Sequence, residues 1–168
     1  MRTIGVQLTW FVVLIALCAT IGESQVIVPP STPYGVPLTL AQAEKATSSA
    51  KAEALRNKVA MVVAIVDPSG LLVNLEKMDG AQNGSIEVAI DKARSAALFK
   101  RPTKVFMDAV TQGGDGVRFL ALRGAVPIEG GIPLIVNGKI IGAIGVSGGA
   151  GTQDGDCARS GAESLSMP

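Results

Sequence analysis

Gly130-Gly131-Ile132-Pro133-Leu134-Ile135-Val136-Asn137-Gly138-Lys139-Ile140-Ile141-Gly142-Ala143-Ile144-Gly145-Val146 reads as two apolar strands closed by a two-residue turn. Asn-Gly is the strongest short hairpin signal, because a type I′ turn needs positive φ at both central positions. Gly142 and Gly145 leave the second strand bare, which suits close packing by a helix or a ligand. A second hairpin lies upstream. Val59 to Val66 is continuous, apolar and rich in β-branched residues, and Leu71 to Met78 returns from it. Asp67-Pro68-Ser69-Gly70 between them has Pro and Gly where a tight turn wants them.

Helical patterns flank and separate the hairpins. Thr39 caps a first helix, with Gln42 completing a capping box. Ala43, Ala46, Ala50 and Ala54 form one small-residue face, and the helix runs to about Asn57. Ser85 caps a second helix that buries Ile86, Ala89, Ile90, Ala93 and Ala97 and ends at Pro102. Thr103 caps a short third helix through about Val110, and Asp154 caps a last one to about Leu165. From Gly113 onward the texture changes, with 14 of the 20 glycines between Gly113 and Gly161. Val117 to Leu122 fits either a strand or a helical turn. Hairpins imply antiparallel strands, and helices at both ends must cover them. The class is α+β with one antiparallel sheet.

The first 24 residues read as a cleaved signal peptide. Arg2 supplies the positive end, Leu8 to Ala19 the apolar run, and Gly22 or Ser24 the cleavage position. The run is shorter than the ~20 residues of a membrane-spanning helix, so no stable membrane anchor is expected after cleavage. A secreted or periplasmic location follows. Residues 25–37 form an extended Pro-rich leader, and residues 38–168 one domain. Cleavage removes Cys18 and leaves Cys157 alone, so no internal disulfide can form.

Histidine is absent from all 168 residues. That excludes a Ser-His-Asp triad, an HExxH zinc site, histidine-ligated haem and an imidazole proton shuttle. A formal net charge of +1 gives no reason to expect nucleic acid as a partner. The aromatics left after cleavage, Tyr34, Phe99, Phe106 and Phe119, are too few for a base-stacking platform.

The loop Gly145 to Gly151 lacks the phase of a nucleotide-binding glycine motif, and Asp154 and Asp156 would repel a phosphate there. It reads as a structural turn. The basic cluster Lys92, Arg94, Lys100, Arg101 and Lys104 is either a solvated helix end or a clamp for ligand carboxylates. Phe99 and Phe106 flank it and supply an apolar wall. Met61, Met78 and Met107 read as core.

The ordered set of motifs resembles the GlcG/HbpS-like family of haem-binding-type domains from about Pro37 to Ala162. Its matching pieces include Val66-Asp67-Pro68-Ser69-Gly70, Met78-Asp79-Gly80-Ala81 and Ser85 with Lys92-Ala93-Arg94. Phe99 with Arg101-Pro102-Thr103 follows, then Glu129-Gly130-Gly131-Ile132-Pro133 and Gly142-Ala143-Ile144-Gly145-Val146-Ser147-Gly148, then Gln153-Asp154 and Gly161. Lys77 departs from the Arg usual before the Asp-Gly pair. The resemblance implies a profilin-like fold, a five-stranded antiparallel sheet with helices on both faces, and a homo-oligomer. It also implies haem or a related tetrapyrrole as the ligand. Without histidine, the Pro102-Thr103 step is the place for a weak hydroxyl ligand to the iron. Lys100, Arg101 and Lys104 beside it would pair the propionates.

Two functions follow. The first is an exported oligomer that binds haem or another small anionic ligand. The alternative is an enzyme that degrades haem or acts on a small organic acid, with Asp79, Glu129 and Cys157 as the candidate groups. None of the three is paired persuasively with a second group, which favours binding.

Overall fold

The computed structural model describes residues 32–166. The expected signal peptide, and the leader up to Ser31, lie outside the described residues. Strands β1 (Val62–Val66), β2 (Leu72–Lys77), β3 (Gly131–Val136) and β4 (Lys139–Ser147) form one antiparallel sheet in the order β2-β1-β4-β3. Helices α1 (Leu40–Arg56), α2 (Ser85–Phe99), α3 (Thr103–Gln112) and α4 (Gly151–Ser166) accompany it. A 3-10 helix over Gly114–Ala121 settles the ambiguous stretch around Val117 as helical.

The α+β class holds, but the sheet of the described residues has four strands where five were expected. The leader shows why. It lies parallel to the end of β4 that β1 leaves free, and Tyr34 bridges Ile140. The Gly35 amide donates to the Ile140 carbonyl at 2.8 Å, and the Ile140 amide to the Pro33 carbonyl at 2.9 Å. The next parallel rung needs an amide at position 37, and Pro37 has none. The Leu38 amide donates instead to the Ile141 carbonyl at 2.9 Å, so the leader follows β4 with one isolated bridge and not as a strand.

Alternation along β1 divides the core. Val63 and Ile65 face α1 and α4, joining Ala43, Ala46, Ala50 and Ala54 with Ile144, Cys157 and Ala158. Val62, Ala64 and Val66 face α2 and meet Ala89, Ala93, Ala96 and Ala97. Helices thus cover both faces, as expected. Both turns have the expected chemistry. Asp67 Oδ1 accepts from the Ser69 and Leu71 amides, and Asn137 and Gly138 take φ of 50° and 71°.

The bare glycines are covered by backbone. Gly145 pairs with Gly131 across β4 and β3. A Cβ on Gly145 would lie 2.0 Å from the Ala89 carbonyl oxygen, and one on Gly131 2.4 Å from that of Lys92. Helix α2 is therefore seated directly on these two positions.

Capping differs from the expectation at three helices. The Thr39–Gln42 box caps α1 as read. Helix α2 starts from Gly84, and the Ser85 hydroxyl accepts instead from Ser147 inside the core. Pro102 precedes α3, and the Thr103 hydroxyl accepts from the Gly131 amide at 2.9 Å. Helix α4 starts at Gly151, where Gln153 accepts from the Ala150 amide, which leaves Asp154 inside the helix. Each side chain found a buried partner that outranked its own helix end.

Candidate functional site

Lys100 ends α2 in the left-handed conformation, at φ 57°, and Pro102 then sets the direction of α3. This corner gathers the aromatic side chains. The rings of Phe99 and Phe106 meet edge-to-face with centroids 5.4 Å apart, and Phe119 joins Phe106 at 5.2 Å. Phe106 is buried, whereas Phe99 and Phe119 keep partial exposure. The Arg101 guanidinium lies 5.7 Å from the Phe106 centroid, and that of Arg118 5.8 Å from Phe119. Lys100 Nζ sits 4.2 Å above the Tyr34 ring, whose hydroxyl donates to the Ala97 carbonyl. The corner is an apolar aromatic patch with cations at its edges.

The predicted residues divide clearly. Phe99, Arg101 and Phe106 come together, with Lys100 alongside over Tyr34. Lys104 points to solvent and pairs with Asp108 at 2.6 Å; that bond and the nearby Glu129 charge hold its ammonium above the ordinary lysine range. Thr103 is fully buried, so its hydroxyl is not presented as a ligand group. It anchors the first turn of α3 to β3. Arg94 leaves the cluster to bond the Gly70 carbonyl.

Lys92 also leaves it. The side chain is 1% exposed, and its ammonium donates to Asp154 Oδ2 at 2.7 Å and to the Val146 carbonyl at 3.0 Å. Asp154 Oδ1 accepts from the Gly149 amide. This network ties α2 to α4 past the end of β4. It was legible as a lysine within the stripe Ala89, Ala93, Ala96 and an aspartate beside Cys157 and Ala158, two opposite charges each on an apolar face.

Glu129 completes the surroundings. It is 7% exposed and lies against Gly155 of α4. No buried polar side-chain atom among the described residues lacks a partner, so the Glu129 oxygens are met by solvent. Cys157 is buried in the core; burial, then the carboxylates of Glu53, Asp154 and Asp156, push its thiol up to about 11. Asp79 is exposed on its turn. No hydrogen bond joins Asp79, Glu129 and Cys157, and the described residues hold no cluster of three metal-ligating side chains. A separate shallow groove of about 440 Å³ lies between the leader and the Asn137-Gly138 turn, lined by Val36, Pro37, Gln42 and Lys139.

Residues 38–163 match the family model described as haem degrading protein HbpS-like. Protein GlcG of Escherichia coli K12 is 37% identical over 95 residues, which span 56% of this chain and 69% of GlcG. The crystal structure of HbpS is 30% identical with a TM-score of 0.72, covering 79% of this chain and 93% of that one. The crystal structure of a PduOC:heme complex is 30% identical with a TM-score of 0.69, covering 79% of this chain and all of that one. Fold, motif order and sequence agree, and the chain belongs to the HbpS-like family.

Proposed function

We propose that this protein binds haem or a closely related tetrapyrrole, as an exported homo-oligomer. The observation that carries the reading is the likeness to a domain solved as a complex with heme. The corner between α2 and α3 fits the periphery of such a ligand. Phe99 and Phe119, part-exposed around the buried Phe106, supply apolar surface, and Lys100, Arg101 and Arg118 supply cations for two carboxylates. Thr103 takes part as a positioning residue, through its bond to Gly131.

Titration of the protein with haem is expected to give a shifted Soret band. Arg101→Ala is expected to weaken it by removing a carboxylate partner, and Thr103→Ala by loosening the first turn of α3. An unshifted band at saturating protein would refute the reading.

The family description also names haem degradation. Haem incubated with the protein and a reductant separates holding from turnover. Release of iron or bile pigment would make the protein an enzyme, and intact haem a carrier. The separation of Asp79, Glu129 and Cys157 supports the carrier.

A further inference from the structure

The 3-10 helix over Gly114–Ala121 is long for its kind, since such runs seldom pass three or four residues. Its period of three sorts the side chains into rows. Gly116 and Phe119 form the inner row. A Cβ on Gly116 would lie 1.9 Å from the Ala109 carbonyl oxygen, and the Phe119 ring meets Phe106. The helix is therefore seated on the backbone of α3. Val117 and Leu120 form a second row, 48% and 62% exposed, and Leu122 follows at 40%. The helix buries none of its residues, so an apolar row stands on a well-packed support.

Charge points to what covers it. Asp115 precedes the row and Arg123 ends it. Both are exposed, and neither joins an ion pair among the described residues. A two-fold axis pairs one patch with its own copy and reverses its direction. Setting Val117 against Leu120 of a second copy brings Asp115 opposite the Leu122-Arg123 step, at both ends of the pairing. The patch is thus complementary to itself in apolar contact and in charge, as an isologous interface requires. An anionic lipid surface fits it less well, because it would attract Arg123 but repel Asp115.

We propose that the row of Val117, Leu120 and Leu122 is the face by which two copies of this chain associate, Asp115 of each meeting Arg123 of the other. This deepens the oligomeric part of the reading above and does not depend on the ligand.

The test is the particle mass of the protein, read by light scattering after size-exclusion chromatography over a wide range of concentration. Wild type is expected as a dimer or a higher even multiple. Leu120→Asp is expected to lower the mass by about twofold or more, with circular dichroism reporting that it is folded. Leu55→Asp, on a 66% exposed side chain of α1, is expected to keep the wild-type mass. Asp115→Arg sets like charges together and is expected to weaken association by about tenfold; adding Arg123→Asp exchanges the charges and is expected to restore it. The charge pair carries the test if Leu120→Asp does not fold. The assignment is overturned if Leu120→Asp folds and keeps the wild-type mass, if the charge exchange restores nothing, or if Leu55→Asp dissociates the protein equally; the oligomer reading then still stands. A monomeric wild type would overturn that reading and this face together. Binding of wild type to phosphatidylserine vesicles, lost in Leu120→Asp with the mass unchanged, would assign the row to a lipid surface instead.

Discussion

Replacing Lys92 by Met should be among the most damaging single changes in the core. The ammonium holds two acceptors, Asp154 Oδ2 at 2.7 Å and the Val146 carbonyl at 3.0 Å, in side chains only 1% and 4% exposed. Methionine matches much of the stem but leaves a buried carboxylate with one remaining bond, from the Gly149 amide. Breaking one side of a buried ion pair costs about 3–5 kcal/mol. At about 3 °C per kcal/mol for a chain of this size, Tm should fall by roughly 10–15 °C. Asp154→Asn keeps the shape and the bond from Gly149 but strands the ammonium, and should cost a similar amount. The double variant buries no charge, so its loss should fall short of the sum by about 2 kcal/mol or more. Urea unfolding of all four proteins completes the cycle. A loss below about 1 kcal/mol in Lys92→Met, or additivity within ~0.5 kcal/mol, would refute a desolvated pair. Asp108→Ala, which breaks the exposed Lys104 pair, is the control and should stay close to wild type.

Four further outcomes are expected. Gly145→Ala places a methyl against the Ala89 carbonyl and the Ala93 amide, at 2.0 and 2.5 Å, so α2 must lift at a cost of about 3 kcal/mol; unchanged urea stability would contradict this seat. Thr39→Ala removes the α1 capping box and should cost about 1 kcal/mol, read by thermal unfolding. The folded Cys157 thiol keeps its proton up to about 11, against an ordinary value of 9.0, so the unfolded chain ionises first. That contribution is complete below the unfolded value and is lost as pH rises through the folded one, an effect on the order of 2 kcal/mol between roughly pH 9 and 11. Cys157→Ala should flatten that alkaline slope, and an identical slope would count against it. Finally, hydrogen exchange should be faster in α3 and the 3-10 helix than in α2 and β4, since α3 buries only Thr103 and Phe106, and the 3-10 helix buries none of its residues. Equal protection would refute this division.

The hairpins, the alanine face of α1 and the bare glycines of β4 were legible because each rests on local chemistry: turn residues, helical spacing and missing Cβ atoms. The strand count was not, because it came from the family resemblance and not from local chemistry; the leader follows β4 with a single bridge. The three caps were misread for a shared reason. Ser85, Thr103 and Asp154 each have a side chain suited to a helix end, but tertiary packing brought each a buried partner: Ser147, Gly131 and Lys92. The basic cluster likewise looked continuous along the chain. Helical geometry sent Lys92 inward, Arg94 to the hairpin turn and Lys104 to solvent, leaving Lys100 and Arg101 at the corner.

Gly131 stands between the rigid part of the molecule and the proposed site. Its bare Cα lets the α2 backbone rest on the sheet, while its amide holds Thr103 and hence the start of α3. These two attachments differ in strength. Helix α2 is locked by close backbone packing and by the Lys92–Asp154 pair, whose rupture costs several kcal/mol. Helix α3 is held through one neutral hydrogen bond, worth about 1 kcal/mol net, and the packing of Phe106. The proposed ligand at the corner would meet the weaker attachment first. The left-handed Lys100 and the following Pro102 form the natural hinge, since α2 cannot follow without unseating from Gly131 and Gly145. The sheet, α2 and the buried pair share no such single attachment. The same glycine thus seats α2 firmly on the sheet and holds the start of α3, the helix carrying Phe106 and Lys104, by a single hydrogen bond.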